Sequence, residues 1–308
     1  PTIYDQTSTI HEENHFGVND ALKKCADFLE KLARKYSLPI VDYWDILGKV
    51  NSEIQKKDPA ATIIGHDRVH PGDEGHFIMA YQFLIMQDAP KYVSYILLRA
   101  RSVRVIKTQN CTIENLQLRN DTILFQCMES SLPFPLPSGH FNPDSLVRFT
   151  QRFNNEILQV KALKKGRYKL LIDSVLVGEY QAKEIRKGIN LAKSMKAPQN
   201  LQAINVLNQL QDYWELSRHS RQIKYVEYQF LRGDNFPEFT EEKAKERFGK
   251  VLERYSNQPK DYVDYYKQNF DEYLINKPSE KEYEQDAIIS FNKVYEMNKP
   301  VSHQFRLI

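Results

Sequence analysis

The stretch NDALKKCADFLEKLARKYSLPIVDYW, residues 19–44, decides the fold class of this chain. Over 20–36 the apolar residues recur three and four positions apart, which is the period of an amphipathic helix, and Asn19 before them is a candidate helix cap. The run 38–44 is short and β-forming, and its acidic residue near the end is typical of a strand that delivers a polar group to a sheet edge. The stretch therefore predicts a helix and then a strand, one repeat of an α/β sheet.

The same alternation continues to about residue 90. A second helix is predicted around 43–55, and the polar loop 65–72 leads into a third helix over 73–88. Helices that alternate with short strands favour a parallel sheet that is covered by helices on both faces.

From about residue 91 the pattern changes to short β-forming runs with polar breaks. We expect strands in the runs 92–98, 102–106, 122–125, 155–161 and 167–173. A turn at 164–166 predicts that the last two runs form a hairpin. The Pro-rich segment 132–139 is expected to be an extended connector, with a polyproline ligand for a partner as the second interpretation. Beyond Glu179 the sequence predicts mostly helices to the end.

The composition is that of a globular protein, with 308 residues, a formal charge of +3 and 41% hydrophobic residues. It excludes disorder and collagen, and no apolar run approaches the roughly 18 residues of a membrane-spanning helix. Residues 1–90 carry 9 Lys and Arg against 14 Asp and Glu, whereas residues 91–308 carry 34 against 26. Because this basic excess is interleaved with acids, it indicates solvated helix faces and no nucleic-acid partner.

The three cysteines, Cys25, Cys111 and Cys127, lie far apart and without a C-x-x-C pair. This spacing argues against a zinc knuckle and against a disulfide framework. Cys25 lies on the apolar face of the first predicted helix, so we expect it in the core. A bridge between Cys111 and Cys127 stays open.

The sharpest candidate for chemistry is the polar loop Asp67-Arg68-Val69-His70-Pro71-Gly72-Asp73-Glu74-Gly75-His76. In open parallel sheets, loops of this kind lie at the carboxyl ends of the strands, where catalytic groups gather. An Asp three residues before a His can fold back and accept the imidazole Nδ1–H, which leaves Nε2 free to act as a base. Asp67 and His70 are therefore the candidate catalytic residues. The structural alternative is that His70 caps the following helix or satisfies a buried carbonyl group.

This block resembles the last conserved block of the SGNH hydrolases, also called GDSL esterases, in which Asp-x-x-His-Pro precedes a Gly-His-containing helix. Residues 1–5, 20–36 and 38–42 likewise resemble the strand, helix and strand that precede it. The resemblance covers roughly residues 1–90 and implies a three-layer α/β/α flavodoxin-like core. It also implies ester hydrolysis through an acyl-enzyme, with a Ser nucleophile, His70 as general base and Asp67 as its orienting partner.

The resemblance further implies a small-molecule or carbohydrate ester as substrate, no cofactor and no metal, and it suggests export in bacteria. The predicted organisation is the C-terminal half of an SGNH core over 1–98, a β-rich appendage over 99–178 and a helical extension over 179–308. The sequence does not define the oligomeric state.

The nucleophile of the family is missing from this sequence. It lies in an N-terminal Gly-Asp-Ser block, and the look-alikes Gly72-Asp73-Glu74 and Gly233-Asp234-Asn235 contain no hydroxyl group. Gly17-Val18-Asn19-Asp20 is similar to the oxyanion-binding block but comes one βα unit too late, so we interpret Asn19 as a helix cap. Since the chain also starts at Pro1 and not at Met, we expect an N-terminally truncated esterase that is inactive as given.

Two other functions stay open. His11-Glu12-Glu13-Asn14-His15 satisfies the H-E-x-x-H pattern of zinc peptidases, although Gly17 makes a helix doubtful there and no third ligand is obvious. The other alternative is a non-catalytic remnant that binds a carbohydrate or a partner protein. Its candidate aromatic residues are Tyr213, Trp214, Tyr225, Tyr228, Phe230, Tyr262, Tyr265 and Tyr266.

Overall fold

The computed structural model of the chain describes residues 1–9, 13–135, 142–232 and 240–308. The chain divides into two compact units: unit 1 comprises Pro1–Asn200 together with Val301–Ile308, and unit 2 comprises Leu201–Pro300. Within the described residues, no helix is both long enough and apolar enough to cross a lipid bilayer.

Unit 1 begins with three helices, at the places where the apolar period predicts them. They are α1 Val18–Tyr36, α2 Trp44–Gln55 and α3 Asp73–Met86. The three helix predictions are confirmed. One apolar cluster, with Leu47, Ile63 and Ile78 among its fully enclosed members, includes residues of α2 and α3. This cluster supports the loop that precedes α3.

The strand predicted over 38–44 is wrong. Among the described residues before Tyr92, the backbone forms no strand and one isolated bridge, between Ile64 and Pro71. A strand is held by hydrogen bonds to a neighbouring strand, and no described segment pairs with this one. The protein is therefore mixed α/β, but its first 91 residues contain no parallel sheet in the part that the structure describes.

Two sheets follow in unit 1. The four-stranded sheet has the order β2-β1-β5-β8 and the five-stranded sheet the order β3-β4-β9-β6-β7. The first contains β1 Tyr92–Arg99, β2 Arg104–Gln109, β5 Asn155–Lys161 and β8 Ile189–Asn190. The second contains β3 Cys111–Arg119, β4 Thr122–Glu129, β6 Arg167–Ile172, β7 Val175–Gln181 and β9 Ser302–Leu307. Strands β1 and β5 pair in parallel, and the other neighbours are antiparallel.

The predicted hairpin at 164–166 is wrong, although strands form in both runs. β5 pairs with β1 and β8, whereas β6 pairs with β7 and β9 in the other sheet. Alternate residues of β5 are buried, among them Leu158 and Val160. They join one apolar core with residues of β6 such as Leu170. The shared core, and not a common turn, therefore relates the two strands.

Three short helices complete the β-rich part: α4 Pro143–Val147, α5 Phe149–Phe153 and α6 Ala182–Lys187. The predicted connector 132–139 lies partly outside the described residues. Its described part, 132–135, forms neither helix nor strand.

The strand β9, near the end of the chain, departs from the predicted helical extension over 179–308. This strand lies between β4 and β6 in the five-stranded sheet. Phe305 is fully buried and stacks on Phe125 of β4, with the ring centroids 4.8 Å apart. The last residues of the chain thus contribute to the core of unit 1.

Helices α7 Pro198–Val226, α8 Glu241–Arg254, α9 Lys260–Asn276 and α10 Glu280–Met297 make up unit 2, apart from the first turn of α7. A π-helical turn, Glu227–Leu231, follows α7 directly. The core of unit 2 contains Phe248 and Phe270, whose rings stack 4.1 Å apart. The helical prediction is confirmed for this segment.

The cysteines depart from their expected roles. Cys25 is exposed, because other described residues cover the apolar face of α1 only in part: Ala26 is buried, whereas Phe28 and Leu29 are exposed. Cys111 and Cys127 are buried free thiols on β3 and β4, so the open possibility of a bridge between them is not realised.

Candidate functional site

The loop between Ile64 and α3 is closed by its own backbone. The amide of Gly65 donates to the carbonyl oxygen of His70 at 2.6 Å, and the amide of Gly72 donates to the carbonyl oxygen of Ile63 at 2.9 Å. These bonds flank the isolated bridge between Ile64 and Pro71. The four residues Gly65 to Arg68 form a turn, in which the amide of Arg68 donates to the carbonyl oxygen of Gly65 at 2.9 Å. The loop therefore presents its polar side chains on a rigid frame.

Asp67 and His70 meet at the tip of this loop. Nδ1–H of His70 donates to Oδ2 of Asp67 across 2.5 Å. The other carboxylate oxygen, Oδ1, accepts from the backbone amides of Val69 and His70, each at 3.0 Å. The hydrogen bond from the His70 side chain, followed by those from the two amides, lowers the pKa of Asp67 to about 2. The two candidate catalytic residues thus form the arrangement that their spacing predicts.

The imidazole of His70 is open to solvent on its other side. Its side chain is 82% exposed, and that of Asp67 is 51% exposed. With Nδ1 committed to Asp67, the neutral imidazole has its lone pair on Nε2, and this nitrogen can accept a proton. Chemically the pair is a general base with its orienting carboxylate. Among the described residues, no hydroxyl or thiol side chain makes a hydrogen bond with His70.

The structural alternative for His70 is wrong. The N-cap of α3 is Gly72, which makes no side-chain capping bond. The other histidines of the loop do not join the pair: His66 is exposed, and Nδ1 of His76 bonds the carbonyl oxygen of Gly72 at 3.1 Å. In the part of the chain that the structure describes, no group of three or more His, Cys, Asp and Glu side chains could hold a metal ion.

Gly75 brings α3 close to the loop. A Cβ atom at this position would lie 2.4 Å from the carbonyl oxygen of Ile63 and 2.8 Å from Cβ of Pro71. A real side chain does not fit at these distances, and both obstacles are part of the rigid frame. The close backbone approach expected from the glycines is therefore found at Gly75.

Arg68 fixes the loop to the N-terminal segment, a role that sequence reasoning missed. Its side chain is buried, and Nη1 donates to the carbonyl oxygens of Asp5 at 2.9 Å and Ser8 at 3.1 Å. In return, the amide of Asp5 donates to the carbonyl oxygen of Arg68 at 2.9 Å. Arg68 has a φ of 65°, a strained conformation for a non-glycine residue that such contacts can hold in place.

Asp5 is the second residue that sequence reasoning missed. Its carboxylate is buried and accepts hydrogen bonds from Thr7, Ser8 and the amide of Gln55. Burial alone would raise the pKa of Asp5, but hydrogen bonds from Thr62, Gln55, Ser8 and Thr7 together lower it. The available signal is Asp5 at the end of the apolar run Ile3-Tyr4, a buried segment followed by an acid.

Asn19 does not cap α1. The helix begins after Gly17, which has a φ of 88°, and no side chain caps it. Oδ1 of Asn19 instead accepts the backbone N–H of Tyr4 at 3.2 Å and joins the helix to the N-terminal segment. The interpretation as a helix cap is therefore wrong, and its physical reason is the competing backbone donor at Tyr4.

Two other predicted patterns lie partly or wholly outside the described residues. Of the H-E-x-x-H pattern, His11 and Glu12 are outside them, and the backbone N–H of His15 donates to the hydroxyl of Tyr4 at 2.7 Å. The segment 233–235 is outside them as well.

The candidate aromatic residues divide between core and surface. Phe230 is buried, whereas Trp214, Tyr228, Tyr262 and Tyr265 are 52–65% exposed.

A solved structure is similar to the whole chain. It is BT4096, described as a gut microbial diltiazem-metabolizing enzyme, and the comparison has a TM-score of 0.84 with 28% sequence identity. The match covers 100% of this chain and 70% of that one. No protein-family model and no curated protein sequence matches the chain. The likeness to a named enzyme supports an enzymatic function for this chain in general terms.

Proposed function

We propose that this chain is the part of an SGNH-type ester hydrolase that carries the His70 and Asp67 members of its catalytic triad. The observation that carries the proposal is the 2.5 Å hydrogen bond from Nδ1 of His70 to Asp67, with the imidazole otherwise open to solvent. A histidine held in this way has one fixed tautomer, which is what a general base needs.

In the proposed reaction, a serine hydroxyl from outside residues 1–308 attacks the carbonyl carbon of an ester. Nε2 of His70 takes the proton of that hydroxyl and returns it to the departing alcohol, which leaves an acyl-enzyme. Water, activated by the same nitrogen, then releases the acid. Asp67 stays ionised throughout and stabilises the imidazolium, which agrees with its pKa of about 2.

The exposed apolar face of α1 favours the packing of another polypeptide segment on this helix. Phe28, Leu29 and Tyr36 are 58%, 46% and 59% exposed. An apolar cleft of about 290 Å³ lies next to them, and Pro1 and Leu38 are among its lining residues. Contiguous apolar surface of this kind is usual where another polypeptide segment packs. A segment that carries the serine is the occupant that the proposed function needs.

The description of the similar enzyme supports a small-molecule substrate, because it names diltiazem as the compound that this enzyme metabolizes. We therefore propose a small-molecule or carbohydrate ester as the substrate of this chain. The reaction needs no cofactor and no metal, because the triad supplies both the nucleophile and the proton transfer.

The test is an esterase assay of the longest polypeptide that the natural gene encodes around residues 1–308, with p-nitrophenyl acetate and diltiazem as substrates. We expect His70→Ala to lower kcat by about 10⁶-fold and Asp67→Asn to lower it by about 10⁴-fold, as in other triads. His66→Ala, a histidine change in the same loop, is the matched control and is expected to keep full activity. Residues 1–308 alone are expected to be inactive.

Near-normal activity of His70→Ala would remove the proposal. So would a gene that encodes no serine nucleophile, and this second outcome favours the non-catalytic alternative. The observation that favours that alternative is a cleft of about 400 Å³ in unit 2, lined by Tyr225, Tyr265 and Arg221 among others. Under that alternative, Tyr265→Ala weakens the binding of a saccharide measured by titration calorimetry, and His70→Ala does not.

A further inference from the structure

Two glutamates lie side by side in the core of unit 1, away from the candidate site. Glu156 on β5 is 0% exposed and Glu129 at the end of β4 is 4% exposed. Ser94 on β1 connects them: it is the cross-strand partner of Glu156, and its hydroxyl donates to Oε1 of Glu129 at 2.5 Å. The pair therefore bridges the four-stranded and the five-stranded sheet.

The pair has few hydrogen-bond partners. Both carboxyl oxygens of Glu156 and Oε2 of Glu129 are buried and make no hydrogen bond among the described residues. The side-chain amide nitrogen and oxygen of Gln199, at the start of α7, are likewise buried and make no hydrogen bond among the described residues, and this side chain is 1% exposed. A carboxylate without hydrogen-bond partners in the protein interior is strongly destabilised, so it protonates in preference to remaining charged.

The neighbouring titratable groups do not neutralise two carboxylates. These groups are His303 on β9 and the thiols of Cys111 on β3 and Cys127 on β4. Each of them interacts electrostatically with at least one of the two glutamates. Nδ1 of His303 bonds the carboxylate of Asp173 at 2.5 Å, so this imidazole already has an acidic partner. One histidine shared with Asp173 leaves the two glutamates short of positive charge.

The ionisation of the pair is shifted in the direction that this environment requires. Burial, and then the charge of Glu129, raises the pKa of Glu156 well above its ordinary value. Burial also raises the pKa of Glu129, against the opposing effects of the hydrogen bond from Ser94 and of His303. Two adjacent buried carboxyl groups titrate as one coupled system, in which the first ionisation makes the second harder.

We propose that Glu129 and Glu156 form a buried acid pair that holds one shared proton at neutral pH, and that loss of this proton loosens the junction between the two sheets. Gln199 precedes the boundary residue Asn200 directly, and His303 follows the other boundary residue, Val301, by two positions. Two neighbours of the pair, Gln199 and His303, thus belong to the two separate parts of unit 1, Pro1–Asn200 and Val301–Ile308.

The sign of the effect on stability follows from the raised pKa of Glu156. In the unfolded chain the glutamates ionise near their ordinary value of 4.5, whereas the folded pair keeps its proton to higher pH. The folded state then binds more protons than the unfolded state. Between these limits the unfolding equilibrium constant rises about tenfold per pH unit for each retained proton, and the protein becomes less stable as the pH rises.

The test is chemical unfolding of residues 1–308 and of Glu156→Gln from pH 5 to 8, at constant ionic strength. The amide of Glu156→Gln cannot ionise. We therefore expect the unfolding equilibrium constant of the wild type to rise with pH more steeply than that of the variant, by a factor of about ten per pH unit. Glu114→Gln, an exposed glutamate on β3, is the matched control and is expected to retain the pH slope of the wild type. Equal slopes for Glu156→Gln and the wild type would overturn the proposal.

A second measurement uses the wild-type protein alone, so it does not depend on the folding of a variant. The infrared spectrum of the wild type, with ¹³C-labelled glutamate for assignment, is expected to contain the C=O band of a protonated glutamic acid at pH 7. The absence of that band would overturn the proposal. So would a stability that rises with added Na⁺ or Ca²⁺ at fixed pH and ionic strength, because the orphaned oxygens would then hold a cation and not a proton.

Discussion

At the scale of residues, the geometry of the candidate site depends on neighbours that take no part in the proposed chemistry. Arg68 ties the loop to the carbonyl oxygens of Asp5 and Ser8, and Gly75 allows α3 to approach Ile63. Asp67 and His70 could be found from the sequence, because a spacing of three in a polar loop suffices to bring them together. Arg68 could not, since its partners lie about 60 positions away in the sequence.

The pKa of Asp67 gives the prediction at this scale. The hydrogen bond from the His70 side chain is the largest cause of the low value, about 2. We expect the pKa of the Asp67 carboxyl group to rise towards its ordinary value of 3.8 in His70→Ala. Since the pKa is lowered in the folded state, the contribution of this contact to stability is present above about pH 4 and is lost as the pH falls towards 2.

A ¹³C-detected carboxyl titration by NMR measures this change directly. His66→Ala is expected to leave the midpoint of Asp67 unchanged, because no hydrogen bond joins His66 to the carboxylate among the described contacts. An unchanged midpoint in His70→Ala would show that the two backbone amides alone hold the carboxylate.

At the scale of elements, the helices follow from the sequence better than the strands do. An α-helix satisfies its hydrogen bonds within one segment, so the period over 20–36 was sufficient to predict α1. A strand depends on a partner, and the segment 38–44 has none among the described residues, despite its β-forming composition. The wrong hairpin at 164–166 has the same origin, because a turn sequence does not state which sheet each strand joins.

The uncovered face of α1 gives the prediction at this scale. Phe28 is 58% exposed, so we expect Phe28→Gln to change the free energy of unfolding by no more than about 0.5 kcal/mol. We also expect this change to reduce the fluorescence of an apolar dye bound to residues 1–308. Phe83→Gln on α3, where the ring is 47% exposed, is the matched control for removing one aromatic ring.

The unfolding measurement shows whether the apolar face of α1 is exposed or covered in solution. If Phe28→Gln destabilised the protein by several kcal/mol, the face of α1 would be part of the core in solution. In the longer polypeptide of the proposed esterase, the same substitution is expected to become destabilising, because the face is then covered.

At the scale of the whole molecule, unit 1 is a discontinuous unit. It comprises Pro1–Asn200 and then Val301–Ile308, and unit 2 is inserted between these two parts. The mixed α/β class could be inferred from the sequence, whereas this organisation could not. The six residues of β9 contain no sequence pattern that predicts their pairing partners. In the structure, β9 pairs with β4 and β6, and its Phe305 stacks on Phe125.

Phe305 gives the prediction at this scale. Its ring is fully buried and stacks on Phe125, so Phe305→Ala is expected to lower the free energy of unfolding of unit 1 by about 3–5 kcal/mol. Gln304→Ala, an exposed change on the same strand, is expected to cost no more than about 0.5 kcal/mol. Urea unfolding that is followed by the exchange of β4 amides measures both. A small effect of Phe305→Ala would show that β9 is dispensable for the sheet.

The place of β9 also affects how the protein is made. On the ribosome, β4 and β6 emerge long before their common neighbour, since 130 positions separate Asp173, next to β6, from His303 in β9. During that interval both strands present unpaired edges, which are sites of aggregation in nascent chains. Unit 1 therefore completes its fold only after all of unit 2 has been translated, and a chaperone that shields strand edges is expected to raise the yield of the correctly folded protein.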